Sequence, residues 1–151
     1  MSQGAWVLVV ALVAATAFGV FRAARDGRFR GTHVVRGGQE SREEVGVLHG
    51  EDLKHTLGER ATLLQFSSAF CAPCRVTRRV LQEVAGVVPG VVHVEIDAEH
   101  HLELVRRLGI LRTPTTLVLD ARGRELQRAS GAPQKGEVLA TLARLLEPEI
   151  G

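Results

Sequence analysis

Two cysteines, Cys71 and Cys74, stand two residues apart in the run Cys71-Ala72-Pro73-Cys74-Arg75, and the chain has no others. A two-residue spacer keeps two sulfurs close enough to bond. The apolar run Thr62 to Phe66 before them has the length of a buried strand, and the helical pattern of Pro73 to Ala85 follows. The cysteines therefore open a helix. Unpaired N–H groups and the positive end of the helix dipole favour a thiolate on Cys71, and Arg75 adds positive potential. Such a thiolate attacks a disulfide, and Cys74, one turn inward, attacks the resulting mixed disulfide and releases the product. Pro73 fits an early helical position because its missing N–H costs nothing there, and Ala72 completes the spacer. Two other uses of such a pair stand beside this one. Zinc needs four ligands, yet there is no second Cys-x-x-Cys, and among the six His only His100 and His101 are adjacent. An inert structural pair is the other. The strand-turn-helix setting favours redox exchange over both, with no metal and no cofactor.

Positioning this pair requires a sheet. Asp52 to Leu57 reads as a short helical stretch and Thr62 to Phe66 as the first strand. Pro73 to Ala85 turns Val76, Val80, Leu81 and Val84 to one helical face. Val91 to Ile96 is a β-branched strand ending at Asp97, and His100 to Leu108 places Leu102, Val105 and Leu108 at helical spacing. Thr115 to Leu119 is a strand, Asp120 to Gly123 a turn, and Glu125 to Ala129 the next strand. A closing helix, Lys135 to Leu146, carries Val138, Leu139, Leu142, Leu145 and Leu146 inward. The order β-α-β-α-β-β-α gives an α/β fold: a parallel βαβ unit, a hairpin and a last helix, forming a mixed central sheet flanked by helices.

The 151 residues are 45% apolar and 24% charged, an ordinary globular composition with room for one domain. The net charge of +2 is spread along the chain, which argues against nucleic acid as a partner. Two cysteines are too few for a disulfide-stapled secreted scaffold, and about 100 residues bury enough surface to fold without staples. Residues 1–24 form a separate segment. Ala5 to Phe21 carries no charge and reaches about 25 Å as a helix, the short end of what crosses a bilayer. The alternative is a cleaved signal peptide, which wants positive charge ahead of its apolar run; here Arg22, Arg25, Arg28 and Arg30 all follow it. The expectation is an uncleaved single-pass membrane helix with the rest of the chain in the cytoplasm, an external domain being the alternative. Residues 25–44, rich in Arg and Gly, read as a flexible linker that either lies along anionic headgroups or is a solvated tether. Residues 45–151 are the folded domain.

With these residues in place, the stretch Val45 to Leu146 resembles the thioredoxin family. Phe70-Cys71-Ala72-Pro73-Cys74-Arg75 is similar to that family's Trp-Cys-Gly-Pro-Cys-Lys, and Gly109-Ile110-Leu111-Arg112-Thr113-Pro114-Thr115 to the segment carrying its cis-proline. Gly131 resembles the family's glycine near the substrate groove. The resemblance implies a thioredoxin-like fold, a cis Thr113-Pro114 bond packed against the cysteines, and a Thr113 backbone able to pair with an extended substrate strand. From the residues alone, Pro114 is equally an edge-strand or turn proline. The resemblance makes Cys71 and Cys74 catalytic and places substrate against Phe70, Thr113, Pro114 and Gly131. The membrane helix and Thr113 before Pro114 are also similar to tethered thiol-disulfide proteins of the TlpA and ResA type. Those work outside the cytoplasmic membrane, but their usual insertion is absent here.

Two departures bear on chemistry. The buried Asp that thioredoxins use to take the proton of the second cysteine corresponds to Gln65, and its Lys neighbour to His93. Gln is no base. Either water serves, or His93 does, or Cys74 is deprotonated more slowly, and His93 is otherwise a tolerated strand residue. Ala72, Pro73, Arg75 and Gln65 are thus the residues expected to tune the pair. The implied partners are proteins carrying disulfides or thiols, and an electron donor such as a thioredoxin reductase or a transmembrane thiol carrier. The expected function is a membrane-anchored thiol-disulfide oxidoreductase acting as a reductase. The alternative is a non-catalytic module that holds a peptide in the groove beside Pro114.

Overall fold

The computed structural model describes residues 3–25, 27–31, 48, 50–53 and 55–146. Residues 26 and 32–44 of the expected linker, and residues 45–47 and 147–151 of the expected domain, lie outside them. An N-terminal helix α1 (Gln3–Arg25) is followed by β1 (Phe29–Gly31) and a single helical turn, α2 (Gly50–Leu53). Then come β2 (Ala61–Ser67), α3 (Ala72–Val87), β3 (Val91–Asp97), α4 (Leu102–Arg107), β4 (Thr115–Asp120), β5 (Glu125–Ser130) and α5 (Lys135–Leu146). The sheet runs β1-β5-β4-β2-β3, with β2 and β3 parallel and the other neighbours antiparallel.

β2 lies between β4 and β3, and all seven of its residues are buried, the polar Thr62, Gln65 and Ser67 among them, as befits a central strand covered on both faces. Its side chains alternate between two cores. Leu64 and Phe66 face a cluster with Leu53, Ile96, Leu104, Leu108 and Leu117. Leu63 faces the other, with Leu81 and Val84 of α3 and Val138 and Leu142 of α5. Burying each such side chain contributes about 1.5–3 kcal/mol.

Four expectations need correction. Phe29–Gly31, inside the expected linker, is an edge strand: it pairs with β5 through Phe29↔Ala129, Arg30↔Arg128 and Gly31↔Gln127. A three-residue strand carries too little alternation to be read from composition, and backbone pairing is indifferent to the side chains. On α3 the buried stripe is Cys74, Thr77, Leu81 and Val84, while Val76 is exposed. The 3.6-residue period that buries Cys74 and Leu81 turns Val76 to solvent. On α4, Leu102 is exposed and Leu104 takes the inward place with Leu108, since at 3.6 residues per turn Leu104 lies on the opposite side of the helix from Leu102. The first helical stretch is also shorter than Asp52 to Leu57, ending at Leu53.

Candidate functional site

The C-terminal end of β2 delivers the chain to Ser68, and Cys71 is the N-cap of α3 in extended conformation (φ −98°, ψ 97°). The Cys74 N–H donates to Cys71 Sγ at 3.1 Å and to the Cys71 carbonyl oxygen at 3.1 Å. The first turn of the helix therefore points a donor at the sulfur that has to carry negative charge. Cys71 and Cys74 are joined by a disulfide with Cα atoms 5.2 Å apart. The two sulfurs differ in access: Cys71 is half-buried, whereas Cys74 is 2% exposed. Ala72, Pro73 and Arg75 are exposed around them, and Phe70 is 100% exposed.

The strand ends beside this helix complete the site. The Thr113–Pro114 peptide bond is cis, and Pro114 is buried. Thr113 Oγ1 lies 3.0 Å from Ser68 Oγ, tying the proline loop to the cysteine loop. Gly131 has φ +97°, a left-handed conformation suited to glycine, and its N–H donates to the Pro114 carbonyl at 2.8 Å. Phe70, Thr113, Pro114 and Gly131 thus gather at the cysteine end of the sheet.

Below the pair, Gln65 is fully buried and its amide Nε2 donates to the Cys74 carbonyl at 2.9 Å and to Ser67 Oγ at 2.8 Å. Its Oε1 lies 3.1 Å from His93 Nε2; an amide oxygen only accepts, so the imidazole carries its proton on Nε2. A carboxylate borders Gln65 from the neighbouring strand. The parallel register sets Glu95 opposite Gln65, with Glu95 Oε1 2.6 Å from the Ser67 hydroxyl and 3.5 Å from Gln65 Nε2. Arg78, one turn beyond Cys74 on α3, donates to the same oxygen at 2.9 Å. Burial by itself would push the Glu95 carboxyl up, but hydrogen bonds from Arg78 and Ser67 and the Arg78 charge outweigh it and hold it below the usual range. Burial lowers the His93 imidazole below its ordinary value; Glu95 opposes this and Arg78 adds to it. Glu95 and Ser67 were not singled out from the sequence. Their signal was the strand register, which sets residue 65 against residue 95 only once the βαβ unit is aligned.

The thioredoxin family model matches residues 44–144. The chain belongs to the thioredoxin family. It is 32% identical over 91 residues to the thioredoxin of Alicyclobacillus acidocaldarius subsp. acidocaldarius, covering 60% of this chain and 86% of that one. To the thioredoxin of Chlamydia trachomatis it is 23% identical over 100 residues, covering 66% and 97%. It is also 35% identical over 72 residues to human thioredoxin domain-containing protein 2, of which it spans 13%. Among solved structures, chloroplastic thioredoxin z superposes with a TM-score of 0.56 at 22% identity, covering 65% of this chain and 90% of that one. Fasciola hepatica thioredoxin does so with a TM-score of 0.52 at 24% identity, covering 58% and 83%. Thioredoxins are thiol-disulfide oxidoreductases acting on protein disulfides, and in this thioredoxin-family chain the redox pair is Cys71 and Cys74, at disulfide distance.

Proposed function

We propose that this thioredoxin-family protein is a membrane-anchored reductase of protein disulfides. The observation that carries the reading is the asymmetry of the pair. Cys71 sits at the helix N-cap with a backbone N–H aimed at its sulfur and is the more exposed, and Cys74 is buried behind it. In the reduced protein, the Cys71 thiolate attacks one sulfur of a substrate disulfide and displaces the other as a thiolate, which takes up a proton. Cys74 gives up its proton and attacks Cys71 Sγ, releasing the second substrate thiol and forming the Cys71–Cys74 disulfide. Two electrons and two protons pass to the substrate, and a dithiol donor restores the pair. An extended substrate segment lies along Thr113 and Pro114, with Phe70 and Gly131 at its borders.

The anchor is α1, whose window Gly4–Phe21 has a mean hydropathy of 2.3 and is wholly unburied. A signal sequence passes the same test; the four arginines behind the run, with none before it, favour a retained helix and a cytoplasmic domain. A thioredoxin reductase is then the matching electron donor.

The test is insulin reduction by the full chain in detergent micelles with a dithiol donor, beside flotation of the chain with phospholipid vesicles after an alkaline wash. The reading expects precipitation of insulin chains well above the donor-only rate, loss of that excess in Cys71→Ser, and flotation. A wild-type rate equal to that of Cys71→Ser removes the reductase and leaves a binding module; failure to float removes the anchor.

A further inference from the structure

The redox end of the sheet is also the end at which α1 enters the domain. β1 runs antiparallel to β5, so its first residue, Phe29, pairs with Ala129, next to the end of β5 at Ser130. Just before it, the Gly27 N–H donates to the Ser130 carbonyl at 2.8 Å, an oxygen that also accepts from Arg112 Nη2 at 2.9 Å. Ser130 pairs with Thr115, and Thr115 with Phe66 at the end of β2. One row of backbone therefore runs from Gly27 across β5 and β4 to the end of β2, four residues before Cys71. At about 4.8 Å per strand, the row spans only about 15 Å.

The entry is built in. Gly27 has φ +80°, and a Cβ there would collide with the Ala132 carbonyl, so only glycine seats against the segment that follows Gly131. Phe29 packs onto the core beneath α5, and Arg28 Nε lies 3.8 Å from Glu137 Oε1. Upstream, α1 ends at Arg25, two residues from Gly27, a reach of at most about 7 Å. The apolar window ends at Phe21, four helical residues earlier, about 6 Å. The headgroup layer on each side of a bilayer is itself about 5–7 Å deep.

Resting on the reading of α1 as a membrane anchor, we infer that the redox end faces the bilayer, and that the substrates are disulfides in segments of integral membrane proteins just outside the hydrocarbon. The short, seated connection holds Cys71 close to the surface, at a high effective concentration for such disulfides and a low one for sites far above it. Phe70 and Leu111, 100% and 95% exposed at this end of the sheet, are the apolar side chains that such an emerging segment meets. The electron bookkeeping is that of the reductase: the reduced pair becomes the Cys71–Cys74 disulfide, and the membrane-protein disulfide becomes two thiols.

The test uses the full chain, pre-reduced, freed of reductant and reconstituted into phosphatidylcholine vesicles. Two lipid-anchored peptides carry the same internal disulfide. In one it lies about three residues from the lipid; in the other a rigid helical spacer of about 40 residues lifts it about 60 Å away. Single-turnover reduction of the near probe should exceed that of the far probe about tenfold or more. Inserting about 25 Gly/Ser residues between Arg25 and Asp26 should collapse that ratio toward one, as should Gly27→Val, while insulin reduction in micelles stays unchanged. A wild-type ratio at or below one, in protein that floats with the vesicles and reduces insulin, overturns this inference alone. Protein that does not float overturns the anchor as well, and protein that floats but leaves insulin intact overturns the reductase.

Discussion

Glu95 stands directly across the parallel register from Gln65, its Oε1 3.5 Å from the Gln65 amide nitrogen and 2.6 Å from the Ser67 hydroxyl. The negative charge below the cysteines is therefore on β3, paired with Arg78, and the central strand holds a neutral amide fixed between His93 and the Cys74 carbonyl. Gln65 orients and cannot accept a proton.

Gln65→Asp places a carboxyl on the central strand, at the cost of the amide donors and with Glu95 as a like-charged neighbour. Its burial and that neighbour raise the new carboxyl's affinity for protons, which suits it to exchange one with Cys74. The expected outcome is faster insulin reduction together with a stability loss of about 1–3 kcal/mol from the orphaned Cys74 carbonyl and the buried acid. Stopped-flow reduction rates and urea unfolding measure the two effects. An unchanged rate contradicts the role assigned to the missing acid.

The same network makes stability depend on pH. Because burial holds the folded-state His93 below its ordinary value of 6.5, the unfolded chain binds a proton that the folded chain resists. The stabilisation is complete above the unfolded value and is lost as pH falls through the folded one. Glu95, also held low, adds a loss of the same sign at more acid pH. Urea midpoints should fall from about pH 7.5 to about pH 5.5, and fall less in His93→Gln, which keeps a donor for Gln65 Oε1 but does not titrate in this range. An equal fall in both proteins would assign the pH dependence elsewhere.

Orientation should follow the arginines. Replacing Arg22, Arg25, Arg28 and Arg30 with Gln and adding Lys near Ser2 should move a C-terminal reporter from the cytoplasm to the outside. This variant also removes the exposed ion pair between Arg28 and Glu137, which is worth little, so folding is not the confounder. A wild-type reporter already outside, or a mature chain beginning after Phe21, contradicts the reading and points to a transmembrane thiol carrier as donor.

The legible parts of the fold were those with long, regular patterns. β2 is a short, mostly apolar run of strand length and α5 buries the face its leucine spacing marks, with Val138 and Leu142 inward and Leu139, Leu145 and Leu146 packed around them. The cysteine pair was legible because its chemistry depends on local spacing and on one strand-helix junction. What escaped depends on long-range pairing. Glu95 meets Gln65 only through register between strands 30 residues apart in sequence. Phe29–Gly31 joins the sheet through its backbone, which its side chains do not announce. Val76 is apolar and at helical spacing from Val80 and Val84, yet it faces solvent, because the helix takes its phase from the buried Cys74, Leu81 and Val84.

The division of labour between the two sulfurs is tested most directly by trapping. Cys74→Ser, in the full chain, removes the resolving thiol, so a substrate disulfide attacked by Cys71 should remain as a stable mixed disulfide. Mass spectrometry of the trapped species should place the partner on Cys71 in every case, and Cys71→Ser should trap little or nothing because Cys74 is buried. Partners recovered on Cys74 of the Cys71→Ser variant, with none on Cys71 of Cys74→Ser, would reverse the roles and contradict the account.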